Sequence, residues 1–421
     1  MAEKFVHLSS LAGSPLLDSA GERLGRVEDV VARLTDTGAL PRVIGLKARI
    51  GGRESFVPID RVQRLESAAA RLSTTKIDLA QFERRPGEVL LRGDILGRSL
   101  INVKTARLVR AHEVELMCAD GTCEVEGIDP SFRSSLWRLL PRRFRVHHGE
   151  HRQFVDWADL EPLVGHVPTF RLKLTHRRLA RLHPAQIADL VEAASHEEGE
   201  EIMAAVGEDK ELEADVYEEL DDEHQVEFLR ERSDSEAAAV LARMESDDAA
   251  DLLLELDQER RLPVLNLLPA AKQRKIRSLL GYNPSTAGGI MNPDLISAPM
   301  SATVAEGLEL VRSSELKPQQ ASLVCVLDDA GVLAGTVSFV SLIQGEPSER
   351  LGDLIDEGNP TPTVNAEADL PEVAQLMADY NLIALPVVDT ESKPVGMIAV
   401  DDVLELLVPE EWRRRTGSAR G

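Results

Sequence analysis

Pairs of carboxylates at helical spacing are the residues of this sequence best suited to carry chemistry. Asp247 and Asp251 are four residues apart, as are Asp401 and Glu405, and Asp402 follows directly after Asp401. Residues four apart lie on the same face of a helix, so each pair presents two carboxylates side by side. Such a face suits a hard divalent cation such as Mg²⁺, which takes oxygen ligands and keeps several of its waters. The alternative is a solvated acidic face whose acids only stabilise a helix start.

The first of these pairs lies in an acidic segment that contains an internal repeat. From 189 to 260 the sequence holds 27 Asp or Glu residues and 5 Lys or Arg residues. Three similar segments follow one another every 24 residues, and they begin at Leu220, Met244 and Leu268. A fixed period of this length is typical of helix–turn–helix units that bury their apolar faces by stacking on one another. We therefore predict an acidic helical superhelix over residues 178–281, in which Ser246 is a helix N-cap.

The N-terminal third alternates polar and apolar residues, and it contains one pattern twice. GSPLLDSAGERLGRVEDV from Gly13 aligns with GRSLINVKTARLVRAHEV from Gly97, an offset of 84 residues. FVPIDRVQRL from Phe56 aligns with FVDWADLEPL from Phe154, an offset of 98 residues. Alternation with a period of two, interrupted by turn signals, favours small antiparallel barrels. The pattern resembles the PRC-barrel family. The two barrels are predicted at residues 5–80 and 87–165.

Composition limits the partners and the compartment. The net charge of −24 over 421 residues argues against nucleic acid and anionic membranes as partners of the whole chain. No stretch approaches the ~20 apolar residues of a membrane span, and no signal peptide is expected. The odd number of cysteines favours reduced thiols and a reducing cytosol. The alternative is a cross-hairpin pair of Cys118 and Cys123, which flank the turn Asp120-Gly121. We therefore expect a cytoplasmic protein without membrane insertion. The three cysteines are Cys118, Cys123 and Cys325.

From Tyr282 onward the pattern alternates strands and helices. The segments ASLVCVLDDAGVLAGTVSFVSLI and ALPVVDTESKPVGMIAVDDVLELL each predict strand, turn, strand and helix. These two β-α-β-β-α units resemble a tandem pair of CBS domains. The first unit is predicted at residues 282–350 and the second at 351–408, followed by a tail at 409–421.

Taken together, residues of about 178–408 resemble the cytosolic half of MgtE-type magnesium channels and transporters. The domain order is the same, and the junction YNPSTAGGIMNPDLIS carries the Tyr, the Ala-Gly-Gly and the Met-Thr-Pro-like stretch of the family. MADYNLIALPVVD and VGMIAVDDVLELL are also similar to the family. The resemblance excludes the N-terminal barrels and predicts a protein without the pore domain. The predicted fold class is multidomain α+β, with small β-barrels, then an all-α helical superhelix, then an α/β CBS pair.

The resemblance implies a metal site between two domains. In the family, Mg²⁺ ions bridge acids of the helical domain to acids of the second CBS unit. Carried over by position, the metal ligands are Asp215, Asp247, Asp251, Asp402 and Glu405. Two carboxylates about 5 Å apart repel by roughly 3 kcal/mol at an effective dielectric of ~20. A divalent ion would remove that repulsion, so closure of the two acidic faces would depend on the ion.

Several positions depart from the family. Asn381 stands where the family has an ion-contacting Asp, which is compatible with the loss of the pore. Ala399 replaces the hydroxyl residue of the nucleotide-binding pattern G-h-h-[ST]-x-x-[DN], and Leu382 stands in place of the aromatic residue that stacks on adenine. In the first CBS unit Ser341 replaces the ribose-binding acid. These departures disfavour nucleotide binding.

The acidic faces and the resemblance therefore predict a Mg²⁺-sensing regulator. We expect it to be non-enzymatic, because the sequence has no nucleophile–base motif, P-loop or Rossmann fingerprint. Metal binding would control contact with another protein, such as a separate membrane transporter in magnesium homeostasis. The CBS resemblance implies a homodimer. One alternative is an adaptor whose PRC-like barrels dock on ribosomal or RNA-processing machinery, favoured by a basic stretch at 133–181. The other is an adenine-nucleotide sensor.

Overall fold

A computed structural model describes most of the chain. The described residues are 4–34, 39–66, 69–75, 81–119, 122–131, 154–167, 178–314, 316–355 and 362–409. They form two compact units, Met1–Leu212 and Glu213–Gly421, which are described separately. Most of the basic stretch at 133–181 and nearly all of the tail at 409–421 lie outside the described residues. Within the described ranges, the model contains no helix with the length and apolar character that a bilayer crossing requires.

Short antiparallel strands make up most of the first unit. The strands are β1 Lys4–His7, β2 Pro15–Leu17, β3 Arg23–Arg33, β4 Arg42–Ile50, β5 Arg53–Pro58, β6 Val62–Glu66, β7 Ala69–Leu72, β8 Glu88–Leu90, β9 Ser99–Asn102, β10 Arg107–Arg110, β11 Glu113–Ala119, β12 Thr122–Asp129, β13 Val155–Asp156 and β14 Leu160–Pro162. Strands β9, β10 and β14 form a three-stranded sheet, and the others form one continuous sheet. A short helix, α1 Leu8–Leu11, follows β1. One aliphatic core serves both repeats, and the predicted barrel-like architecture is confirmed.

The two sequence repeats exchange strands. Strand β1 of the first repeat pairs with β11 of the second, and β8 of the second repeat pairs with β3 of the first. The 84-residue offset is visible in the backbone, because Gly13 and Gly97 have φ of 82° and 85°. Their N–H groups donate to the carbonyls of Val27 and Ala111, both at 2.7 Å. A positive φ favours glycine, which explains why both repeats carry it.

A pair of buried carboxylates joins the repeats reciprocally. Asp29 in β3 accepts the backbone N–H groups of Arg92 and Gly93 at 2.8 and 3.0 Å. At the equivalent position of the second repeat, Glu113 in β11 accepts the N–H of Ser9 at 3.0 Å and also its hydroxyl. Each acid therefore satisfies backbone donors that belong to the other repeat, so the two repeats stabilise each other.

The cysteine prediction is wrong for two of the three residues. Cys118 and Cys123 form a disulfide across the β11–β12 hairpin. They are directly opposite each other in the strand register, with their Cα atoms 4.2 Å apart, and this proximity explains the bond. Cys325 is free and buried, as expected. The cysteine count therefore gives no support for a reducing compartment.

The acidic segment folds into short helices. They are α2 Pro184–Glu192, α3 His196–Val206, α4 Lys210–Glu219, α5 Asp222–Arg230, α6 Asp234–Leu241, α7 Ser246–Glu255, α8 Gln258–Leu267 and α9 Ala270–Leu279. Helices α5, α7 and α9 begin 24 residues apart, so each repeat contains two helices, as predicted. Leu220, Met244 and Leu268 are buried just before these three helices. The repeat period therefore reflects one recurring buried position at each turn.

The C-terminal half contains the predicted pair of CBS-like units. Its strands are β15 Ile296–Pro299, β16 Leu323–Leu327, β17 Leu333–Ser338, β18 Val364–Asn365, β19 Ala384–Val388 and β20 Pro394–Ala399. Its helices are α10 Ala287–Ile290, α11 Val304–Ser313, α12 Phe339–Gln344, α13 Leu370–Tyr380 and α14 Val400–Leu407. Each unit has a three-stranded sheet with one parallel and one antiparallel pairing. Cys325 of the first unit packs with Ala384 and Met397 of the second, so the two units share a core.

The junction YNPSTAGGIMNPDLIS ties the helical repeats to the second CBS unit. A side chain at Gly288 would overlap the Tyr282 ring, because a Cβ there would lie 2.4 Å from a ring carbon. Asn292 and Met397 exchange backbone hydrogen bonds of 2.9 and 2.8 Å. Gly288 therefore has a packing role, and the backbone bonds of Asn292 join the junction to the second CBS unit.

Candidate metal centre

Four carboxylates of the helical repeats lie close together where the repeats face the CBS pair. Glu218 is near the end of α4, and Glu245, Asp247 and Asp248 surround the start of α7. One carboxylate oxygen from each of Glu218, Glu245 and Asp248 lies within 4.8 Å of the others. The backbone N–H of Glu245 donates to the Glu218 carboxylate at 2.6 Å. Acids that approach this closely repel one another unless a proton or a cation lies between them.

Helix α7 begins one residue earlier than the sequence predicted. Glu245 occupies the N-cap position, with φ −58° and ψ 160°, and Ser246 is the first helical residue. The prediction that Ser246 caps the helix is therefore wrong. Its hydroxyl donates instead to the Asp294 carboxylate at 3.5 Å. The positive end of the helix dipole favours acids here, but it does not explain why acids of other segments gather at the same place.

The CBS pair contributes both an acid and amide donors. Asp402 lies in the first turn of α14, where its carboxylate accepts the Ala399 N–H at 3.2 Å. One carboxylate oxygen of Glu245 accepts the side-chain amides of Asn292 and Gln320, each at 2.6 Å. These amide bonds fix the Glu245 carboxylate, so that its other oxygen is oriented for a cation.

Lys317 brings a positive charge to the same cluster. Its ammonium donates to Glu218 at 3.1 Å and contacts Glu245. Partial burial lowers the pKa of Lys317, but the charges of Glu218 and Glu245 outweigh it, and the net shift is upward. The lysine is therefore held as the ammonium ion. Five carboxylates form the cluster, namely Glu218, Glu245, Asp247, Asp248 and Asp402. Two ammonium groups lie near it: Lys317 pairs with Glu218 and Glu245, whereas Lys272 donates to the Met244 carbonyl and interacts with Asp247 and Glu218 only through its charge.

The acids of the cluster are difficult to ionise. Burial, followed by the charges of Asp402 and Glu245, raises the pKa of Asp247 well above its usual range. Burial, followed by the charge of Asp401, raises the pKa of Asp402 to about 7, although the Ala399 N–H opposes that shift. Upward shifts of this origin mean that burial and the neighbouring negative charges together oppose full ionisation of the cluster.

Two buried oxygen atoms of this region have no hydrogen-bond donor among the described residues. They are Oδ1 of Asp247 and Oε1 of Gln319. Asp247 is only 7% exposed. The amide nitrogen of Gln319 donates to Asp401 at 3.1 Å, next to Asp402. A buried acceptor without a partner costs roughly 1–3 kcal/mol. An ion that accepts these lone pairs would offset that cost.

The donor set fits Mg²⁺. Carboxylate and amide oxygens are the ligands that this hard cation prefers, and it retains waters where the protein offers few direct ligands. Asp247, Glu245 and Asp248 would hold the ion from the helical side and Asp402 from the CBS side. Binding would neutralise the mutual repulsion of these groups.

The predicted ligands separate into different environments. The structure brings Asp247 and Asp402 close enough for the charge of one to raise the pKa of the other. Asp215 in α4 and Glu405 in α14 are exposed, and they do not belong to the group of closely spaced oxygens. Helical spacing predicted which acids share a helix face. It could not predict which face meets the other domain.

Asp251 lies near different acids from those of the cluster. Its residue is exposed, and its neighbouring charges are Asp222 and Glu255. Desolvation by the surrounding chain, followed by these two charges, raises the pKa of Asp251 to about 6. Although Asp251 is one helical turn from Asp247, the two residues differ in exposure: Asp247 is buried and Asp251 is exposed.

Sequence reasoning missed Glu218, Glu245 and Asp248. A usable signal was the repeat itself, because Glu218 and Glu245 lie within two residues of the buried positions Leu220 and Met244. Residues beside equivalent turns of stacked repeats lie on one edge of the stack. Lys317, by contrast, comes from a loop of the first CBS unit, and no sequence pattern connected it to α7.

Acidic two-helix repeats joined to a CBS pair define a recognisable class of regulatory module. Residues 182–285 match the family model of the MgtE intracellular N domain, and residues 352–409 match that of the CBS domain. The predicted resemblance to the cytosolic half of MgtE-type proteins is thereby confirmed for this part of the chain. The N-terminal resemblance to PRC-barrels stays a prediction.

Individual relatives give the same result. The chain is 32% identical over 203 residues to the magnesium transporter MgtE of Thermus thermophilus, covering 47% of this chain and 44% of the relative. It is 29% identical over 198 residues to that of Bacillus subtilis, covering 47% and 43%. A crystal structure of the cytosolic domain of the Mg²⁺ channel MgtE in complex with ATP is 29% identical, with a TM-score of 0.51, covering 55% of this chain and 93% of that one. The chain spans less than half the length of both transporters.

Proposed function

We propose that this chain is a Mg²⁺-responsive regulatory protein in which the ion joins the acidic start of α7 to Asp402 of the second CBS unit. The observation that carries the proposal is Asp247, a buried acid with an unpartnered oxygen beside the charges of Asp402 and Glu245. The similarity to magnesium transporters supports Mg²⁺ as the ion. The role is regulatory rather than catalytic.

The ion acts by stabilising the closed arrangement of the helical repeats on the CBS pair. Without it, carboxylates about 5 Å apart repel by roughly 3 kcal/mol per pair at an effective dielectric of ~20. An ion that binds the closed arrangement better than the open one shifts the population toward closure. At a free concentration of about 100 times Kd, that preference stabilises the closed state by about 2.7 kcal/mol.

The output of this switch is contact with another protein. The relatives named above are magnesium transporters, so the partner we propose is a membrane Mg²⁺ transporter whose cytoplasmic side the chain contacts. The compartment is accordingly the cytoplasm. The N-terminal barrels take no part in the proposed metal site, so they would be available as the adaptor part of the chain.

A second copy of the chain is the proposed partner of the CBS pair. Helices α12 and α14 expose large apolar side chains, and burying them against a second copy of the chain would be favourable. The exposed residues are Phe339, Val340, Ile343, Leu404, Leu406 and Leu407. Sedimentation velocity checks this assignment: a dimer that dissociates when Val340→Glu and Leu404→Glu are combined supports it, and a wild-type monomer at every concentration contradicts it.

Nucleotide is not part of the proposal. The related solved structure contains ATP. In this chain, however, Ala399 lacks the hydroxyl of the binding pattern, and its N–H is used by Asp402. ATP is therefore included as a separate ligand in the test.

Isothermal titration of the full chain with Mg²⁺, and separately with ATP, tests the proposal. Asp247→Asn should weaken Mg²⁺ binding at least about tenfold, equivalent to 1.4 kcal/mol. Glu223→Gln is a matched control, because Glu223 is exposed at the equivalent position of the preceding repeat. Equal Mg²⁺ affinity in wild type and Asp247→Asn would overturn the proposed site. Heat from ATP alone would favour the nucleotide alternative.

A further inference from the structure

We infer that Lys317 is a built-in counter-ion of the metal site, which holds the acidic faces together without metal and which a divalent ion must displace. The displacement rests on the proposed function, whereas the counter-ion role rests on geometry alone. The consequence is that Lys317 sets the Mg²⁺ concentration at which the site fills.

The position of Lys317 is that of a bridge between domains. It lies in the loop between α11 and β16 of the first CBS unit, whereas its partners Glu218 and Glu245 belong to the helical repeats. Those two acids are the ones whose oxygens lie within 4.8 Å of an Asp248 oxygen. The ammonium therefore uses carboxylate oxygens that a metal ion at this cluster would also use.

The contact differs from an ordinary surface ion pair. The side chains of Glu218 and Glu245 are only 8% and 17% exposed, so their charges are poorly screened by solvent. Exposed pairs contribute little because water and salt compete with them. The lysine side chain is 46% exposed, so its ammonium has a path back to solvent. Lys317 can therefore be exchanged for another cation without a rearrangement of the fold.

One ammonium ion satisfies only part of the cluster. Glu245 uses one oxygen for Asn292 and Gln320, and the other contacts Lys317. The Oδ1 atom of Asp247 is still unpartnered with Lys317 in place. A divalent ion offers twice the charge and up to six coordination positions, so it can satisfy oxygens that the ammonium does not reach.

Lys317 and a divalent ion exclude each other for electrostatic reasons. An ion coordinated by Glu218 or Glu245 at about 2.1 Å would lie next to the ammonium, and like charges in a poorly solvated site repel strongly. Metal binding must therefore expel the lysine side chain into solvent. The apparent affinity for metal is reduced by this competition, as for any site occupied by a competitor.

Four full-length proteins test the inference: wild type, Lys317→Met, Lys317→Arg and Lys393→Met. Lys393 is a matched control, because it pairs locally with Glu391 at 2.7 Å in the second CBS unit and is similarly exposed. Each protein is melted in EDTA and titrated with Mg²⁺. We expect Lys317→Met to melt lower in EDTA and to bind Mg²⁺ about tenfold more tightly. The melting temperature of Lys317→Arg in EDTA should stay close to that of wild type. Lys393→Met should match wild type both in melting temperature and in Mg²⁺ affinity.

The two readouts separate the two ideas. Equal EDTA melting of Lys317→Met and wild type overturns the counter-ion role, whatever the titration shows. Lower EDTA melting with unchanged or weaker Mg²⁺ binding overturns the displacement. If none of the four proteins binds Mg²⁺, the proposed function fails, and lower EDTA melting of Lys317→Met would still support the counter-ion role.

Discussion

At the scale of single residues, the site consists of weak acids that a metal ion would convert to their ionised forms. The folded pKa of Asp402 is about 7, well above its unfolded value of 3.8. Between these values the folded state binds more protons than the unfolded state. The metal-free protein therefore loses stability as pH rises through this window, because ionisation is resisted only in the fold.

This linkage predicts that Mg²⁺ binding releases protons below pH 7. Near pH 6 the ion must displace the proton of Asp402, whereas near pH 8 the acid is already ionised. Titrations in buffers of different ionisation enthalpy measure the release directly. We expect buffer-dependent heat at about pH 6, little at about pH 8, and a smaller effect in Asp402→Asn. Heat that is independent of buffer at pH 6 would contradict the assignment.

Only part of the site could be predicted from the sequence at this scale. Asp247 and Asp402 were identified because a family resemblance placed them in facing domains, and the structure brings them together. Asp251 was predicted as a ligand by the same resemblance and by its helical spacing from Asp247, yet its neighbouring charges are Asp222 and Glu255. Lys317 was out of reach, because its role depends on a loop position that only the tertiary fold defines.

At the scale of structural elements, the strand exchange between the N-terminal repeats makes a direct prediction. Replacing Glu113 by Ala removes the acceptor of the Ser9 N–H and hydroxyl, and it leaves these partly buried donors without that acceptor. We expect the free energy of unfolding of the N-terminal unit, Met1–Leu212, to fall by about 1–3 kcal/mol. Amide hydrogen exchange should accelerate in β1, which pairs with β11.

The control for this experiment is Glu124→Ala in β12. Glu124 pairs with Arg42 at 3.2 Å, but the arginine side chain is 80% exposed, so the pair contributes little. Its replacement should change stability by about 0.5 kcal/mol or less. Equal exchange rates in β1 for Glu113→Ala and Glu124→Ala would show that the reciprocal carboxylates do not hold the repeats together.

Elements were more predictable than their pairing. The 24-residue period correctly gave two helices per repeat, because each turn needs a buried residue such as Met244. The 84-residue offset predicted the duplication, but equivalent strands have equivalent patterns, so it could not show that β1 and β8 are exchanged.

Asn381 illustrates a different limit of sequence reasoning. It ends α13 with φ 52°, a conformation that Asn tolerates, so its position at a helix end accounts for this residue as well as a lost ion contact does.

At the scale of the whole molecule, the double variant Asp247→Asn, Asp402→Asn separates repulsion from ion binding. At about pH 8 without metal it should be more stable than wild type, by on the order of 1–3 kcal/mol, because neutral amides replace two adjacent acids whose ionisation the fold resists. With Mg²⁺ it should gain less stability than wild type, since two ligands lose their charge. Thermal melts in EDTA and in Mg²⁺ measure both effects.

Replacing the exposed acids provides the comparison for that variant. Asp215→Asn combined with Glu405→Gln removes the same charge from surface positions of α4 and α14. Its stability in EDTA should stay within about 0.5 kcal/mol of wild type, and its response to Mg²⁺ should be retained. If both double variants respond to Mg²⁺ alike, the ion acts through general screening.

A divalent ion bound between the start of α7 and the CBS pair would be visible as ion density in a crystal structure. Mn²⁺ accepts the same oxygen ligands as Mg²⁺ and gives an anomalous signal in X-ray diffraction. In crystals of the full chain grown with Mn²⁺, we expect an anomalous peak in contact with Asp247, with Asp402 beside it and the Lys317 ammonium displaced. A peak confined to Asp251 and Asp222, or no peak near Asp247 at saturating Mn²⁺, would contradict it.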